Sequence, residues 1–121
     1  MTEVYSWEDL MKNPSVINGG VVELRGQITG SLIEELGEEP GIRTVISPHS
    51  VRSGLHPVVD NLEMKVHVFL PGELSDVEIQ TLRLMKEYSS CLYVKGTFQY
   101  ELEDDEDYLG SVKATSWQQE R

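Results

Sequence analysis

The chain has 121 residues and a single cysteine, Cys91. One thiol closes no internal disulfide and builds no multi-cysteine metal site. At the junction from helix to strand, a small buried apolar side chain is the expected role for it. Histidines are few: His49, His56 and His67 show no HxH, HExxH or Cys–His spacing, so no zinc site is expected. GxSxG, P-loop and GxGxxG patterns are all missing, and Gly19-Gly20 lacks the rest of any phosphate-binding motif. The expectation is a non-enzyme that needs no cofactor. No apolar run approaches the roughly 20 residues of a membrane span. The opening MTEVYSWEDL is acidic and lacks the basic-then-apolar order of a signal peptide, so a cytoplasmic location is expected.

Bases are also in short supply. Lys and Arg total 10 against 21 Asp and Glu, a net charge of −11. A field of that sign repels nucleic acid and anionic membrane at long range. Its distribution is uneven. Residues 30–41 hold Glu34, Glu35, Glu38 and Glu39, and residues 101–107 hold Glu101, Glu103, Asp104, Asp105, Glu106 and Asp107, with no base in either segment. The remainder is close to neutral.

What is present is the make-up of an ordinary folded domain, 39% hydrophobic and 26% charged. The length suits one core, so residues 1–121 read as a single domain. Residues 1–20 form an N-terminal helical extension and residues 118–121 a polar tail. Ser6-Trp7-Glu8-Asp9 has the form of a capping box, and Asn13-Pro14 limits the helix that follows. Val21 to Gly30 alternates as strand 1, with Gly26 on the apolar parity marking a bend. An acidic loop, 31–41, leads to a short strand 2 over Ile42 to Ser47. Leu62 to Leu70 alternates cleanly as strand 3. Ser75-Asp76-Val77-Glu78 is a second capping box, and Ile79, Leu82 and Met85 give the apolar stripe of a helix ending near Ser89-Ser90. Leu92 to Leu102 is strand 4, with Gly96 in its apolar series. An acidic hairpin, 103–107, precedes strand 5 over Tyr108 to Trp117.

Short strands in a small domain favour closure into a barrel, which removes exposed edges. The fold class expected is all-β with added helices: a five-stranded Greek-key barrel with a helix between strands 3 and 4 and a short N-terminal helix. This order resembles the OB-fold. The run from Met64 to Trp117, with its LYVKG strand around Gly96, is similar to bacterial single-stranded-DNA-binding proteins. It departs from them in the extra N-terminal helix, in lacking their Gly-rich linker and acidic tip, and in its acidic loops.

Two constellations bear on function. Each strand contributes one base: Arg25, Arg43, Lys65, Lys95 and Lys113. By parity the outward set also holds His67, Phe69, Tyr93, Gln99, Thr115 and Trp117. Bases interleaved with exposed rings suit single-stranded nucleic acid, where Lys65 and Lys95 meet phosphates and Tyr93, Phe69 and Trp117 stack on bases. That resemblance places Arg25, Lys65, His67, Phe69, Tyr93, Lys95 and Trp117 at a binding face. One base per strand is also ordinary solubility chemistry. The second constellation is the pair of acidic loops, Glu34, Glu35, Glu38 and Glu39 with Glu103, Asp104, Asp105, Glu106 and Asp107. In an OB-fold these loops border the ligand face. They suit a basic protein partner, or imitate the phosphates of a nucleic acid. Solvated charge runs are the commoner case. The long connection Pro48 to Asn61 carries Val51, Leu55, Val58 and Val59, which offer a contact for a second subunit or another protein. Two readings stand: a module for single-stranded nucleic acid, and an acidic adaptor or inhibitor.

Overall fold

The alternation that marks strands in the sequence becomes the inner wall of a barrel. In the computed structural model, which describes residues 3–48, 65–88, 90–101 and 108–120, the elements are β1 (Val4–Tyr5), α1 (Trp7–Lys12), a 3₁₀ turn (Pro14–Ile17), β2 (Val21–Ile28), β3 (Ile33–Glu35), β4 (Gly41–Pro48), β5 (Lys65–Pro71), α2 (Asp76–Glu87), β6 (Cys91–Gln99) and β7 (Tyr108–Glu120). Val22, Leu24 and Ile28 of β2, Val66, Val68 and Leu70 of β5, and Leu92, Val94 and Phe98 of β6 all turn inward and are buried.

The sheet runs β1-β2-β6-β7-β5-β4-β3, and pairing of β2 with β4 closes it. Gly26 opposite Pro48 and Ile28 opposite Ile46 make that closure. The closed circuit is therefore β2-β4-β5-β7-β6, antiparallel except where β5 and β7 run parallel. This is a five-stranded all-β barrel of OB-like order with two added α-helices among the described residues. Gly26 sits where β2 passes from one partner to the next: a Cβ there would lie 2.6 Å from the Ser47 carbonyl oxygen, so the close approach excludes any side chain.

Both capping boxes form. The Ser6 amide donates to the Asp9 carboxylate at 2.9 Å. The Glu78 amide donates to Ser75 Oγ at 3.2 Å, and the Ser75 amide to Glu78 Oε1 at 3.1 Å. α2 lies between β5 and β6 and buries Leu82 and Met85. Trp7, Leu10 and Ile17 join the same core, so the N-terminal extension is part of the barrel's packing.

Four expectations change. Residues 31–41 are not loop throughout, because β3 pairs with β4 from Ile33 opposite Arg43 to Glu35 opposite Gly41. The extension includes a strand, β1, laid parallel to β2. Gln118 and Gln119, expected in a polar tail, belong to β7 and pair with Tyr93 and Leu92. Trp117, expected on the outward face, lies across from the buried Val94 and packs against the core. A register shift between Lys95 and Gly96 is the cause: Lys95 faces Ser116 while Gly96 faces Ala114, so Thr115 is the extra residue. One extra residue moves every later side chain to the other face.

Candidate functional site

A groove of about 540 Å³ crosses the outer face of the barrel. Its floor is laid by alternate residues of neighbouring strands, which the sheet register aligns. Arg43 of β4 lies opposite Phe69 of β5, and Phe69 opposite Lys113 of β7. Lys113 in turn lies opposite Thr97 of β6. One row on, His67 lies opposite Ser111, and Ser111 opposite Gln99. Glu35 and Glu39, from β3 and the turn after it, form one rim, and Glu101, just past β6, the other. The groove thus crosses β4, β5, β7 and β6, with Glu35 and Glu39 on one side and Glu101 on the other.

The floor's charges are matched internally. Arg43 Nε donates to Glu35 Oε1 at 2.8 Å. The Arg43 guanidinium also lies 5.6 Å from the centre of the Phe69 ring, close enough for cation–π attraction. Lys113 Nζ pairs with Glu39 across the mouth. Beside the groove, His67 stacks on Tyr108 with ring centres 4.4 Å apart and planes 6° from parallel. Lys65 Nζ stands 5.2 Å from the same Tyr108 ring. On the far rim the Ser111 hydroxyl donates to Glu101 at 3.4 Å.

The bases and rings expected on one face are therefore divided. Lys65, His67 and Phe69 gather at or beside the groove. Arg25, Tyr93 and Lys95 form a separate patch on β2 and β6, beyond the register shift. There Arg25 lies 5.7 Å from the centre of the Tyr93 ring, and Lys95 pairs with Glu23 at 3.6 Å. Trp117 belongs to neither. The acids of the first connection divide too. Glu35 and Glu39 line the groove, whereas Glu34 lines a depression beside α2 with Asp76, Gln80 and Arg83. Glu38 is exposed. Glu103, Asp104, Asp105, Glu106 and Asp107 lie outside the described residues, as do His49, His56 and most of the 48–61 connection.

No protein-family model and no curated protein matches the sequence. Among solved structures the fold is similar to a DUF3299 family protein from Pseudomonas aeruginosa PAO1, with a TM-score of 0.51 and 12% identity, covering 100% of this chain and 97% of that one. At that identity the likeness extends to the fold alone.

Tyr108, Thr97 and Ser111 are groove or near-groove residues that the sequence did not single out. Ser111 shares the parity of Lys113 on β7 and Thr97 that of Tyr93 and Lys95 on β6, whereas Tyr108 shares the parity of the buried Val112 and reaches His67 through the register shift between β5 and β7. Among the described residues no cluster of His, Cys, Asp and Glu is placed to hold a metal ion. No helix among them is long and apolar enough to cross a membrane.

Proposed function

We propose that the protein is a non-enzymatic binding module whose acid-rimmed groove takes a basic segment of a partner protein in the cytoplasm. One observation carries this reading: the groove's own cations are already neutralised by its rim carboxylates, Arg43 by Glu35 and Lys113 by Glu39. A phosphate chain entering the groove has to displace both carboxylates and then lie beside Glu101. A cationic segment meets Glu101, which accepts from the Ser111 hydroxyl and has no ion pair among the described residues, and the sequence adds five further acids directly after Leu102. Opposite fields of this kind speed encounter and set register.

A second reading, single-stranded nucleic acid, draws on the Arg25, Tyr93 and Lys95 patch and on Phe69, where rings and bases alternate as stacking platforms do. Fluorescence anisotropy separates the two. A labelled poly-arginine peptide and a mixed-sequence single-stranded oligonucleotide, as DNA and as RNA, are titrated at low and near-physiological salt. The adaptor reading expects saturable peptide binding that weakens at least about tenfold when Glu101, Asp104, Asp105, Glu106 and Asp107 are neutralised together. Peptide binding untouched by that change rules this reading out. Oligonucleotide binding lost in Tyr93→Ala or Lys95→Glu establishes the second reading in its place.

A further inference from the structure

We infer that Lys113 is an internal competitor for the groove: its ammonium occupies Glu39, and an incoming cation must displace it to engage that carboxylate. The inference rests on the adaptor reading and names the residue that sets its affinity.

The two cations of the floor are held differently. Arg43 is tied at two points, to Glu35 through Nε at 2.8 Å and to the Phe69 ring at 5.6 Å. Its planar guanidinium suits both contacts at once. Lys113 rises from β7 and reaches Glu39 in the turn after β3, so its ion pair spans the mouth of the groove. Its side chain is 58% exposed and that of Glu39 55%. A water-exposed ammonium–carboxylate pair on a flexible stem is weak and exchanges easily with a competing cation. Arg43, with two contacts, is therefore the more firmly held of the two cations and Lys113 the more readily displaced. Glu35 stays committed within the protein, while Glu39 is the carboxylate that changes partner. In that exchange the ligand's cation takes the Glu39 carboxylate and Lys113 returns to water, with total charge conserved.

This competition lowers affinity for every cationic ligand by the strength of the Lys113–Glu39 pair, and adds the repulsion between Lys113 and the ligand. It also favours ligands that bring two or more cations, because one must replace Lys113 while another reaches Glu101.

The test uses the full chain and a fluorescein-labelled poly-arginine peptide at low salt. Lys113→Gln is expected to bind about fivefold more tightly than wild type. Lys12→Gln is the charge control: it makes the same change on α1, where Lys12 pairs with Glu8 at 3.7 Å and does not line the groove. It is expected to shift affinity less than about twofold. Combining Lys113→Gln with Glu39→Gln should abolish the gain. If wild type binds the peptide and Lys113→Gln binds no more tightly than Lys12→Gln, the competitor role is wrong and the adaptor reading stands. If neither wild type nor Lys113→Gln binds the peptide at low salt, the adaptor reading itself fails and takes this inference with it.

Discussion

The indole Nε1 of Trp7 donates a 2.8 Å hydrogen bond to the backbone carbonyl of Arg25. That bond ties α1 to β2 one residue before Gly26, where the strand bends. Trp7 is only 2% exposed, and its ring is among the nearest neighbours that a Cβ at Gly26 would meet. The N-terminal extension therefore holds the barrel's corner in place. Trp7→Phe keeps an aromatic ring but removes this hydrogen bond and leaves a small void. It should cost about 2 kcal/mol in chemical denaturation. A loss under half that amount would mean that α1 is an appendage.

Gly96 faces a different constraint. A Cβ at this position would collide with the backbone carbonyl oxygen of Lys113 and lie 2.8 Å from Ala114 Cα. Both are backbone atoms of β7 and cannot rotate away. Gly96→Ala should destabilise the protein by about 2–3 kcal/mol, the cost of overpacking a tight site. Gly37→Ala is the reference, since nothing lies within 4 Å of a Cβ there, and its midpoint should match wild type. Equal midpoints for the two variants would show that β7 moves to accommodate the methyl.

Thr44 turns into the core from β4, 1% exposed, and its Oγ1 has no hydrogen-bond partner among the described residues. A buried hydroxyl without a partner carries an unreturned desolvation penalty of about 1–3 kcal/mol. Thr44→Val replaces the hydroxyl with a methyl of similar size and should raise Tm by about 4 °C. Thr44→Ser keeps the hydroxyl and removes a methyl, so it should lower Tm by a similar amount. A drop in Tm for Thr44→Val would show that the hydroxyl has a partner in solution.

The barrel was readable because its strands alternate and its helices announce their starts. Val66, Val68 and Leu70 face inward as their parity requires, and both Ser-x-x-acid boxes cap helices. Gly26 and Gly96, sitting on apolar parities, marked places where backbones approach. The candidate site was less readable, for two physical reasons. Alternation is a local rule, and the extra residue at Thr115 resets it, which sends Trp117 to the core while Lys113 stays outside. Charge pairing is a tertiary property. Nothing in the spacing of Glu35 and Arg43, or of Glu39 and Lys113, says that acids counted as loop residues and bases counted as strand residues meet across one groove.

That pairing gives a direct test of why the groove should reject phosphates. Replacing Glu35, Glu39 and Glu101 together by Gln removes the rim carboxylates and leaves Arg43 and Lys113 on the floor beside Phe69. If the rim is the barrier, this variant should gain binding to a single-stranded oligonucleotide that wild type lacks at the same low salt. Two cations meeting phosphates release roughly two counterions, so the slope of log affinity against log salt should be about −1.4 for a single strand. A slope near zero would place the new contacts away from Arg43 and Lys113, on stacking alone. No gain in binding would mean that the net charge of −11 over the whole chain, which this variant reduces by only three, outweighs the local arrangement. The distinction matters for the fold as much as for the ligand. A barrel of this order offers the same strand face whatever binds there, and in this chain Glu35, Glu39 and Glu101 line that face.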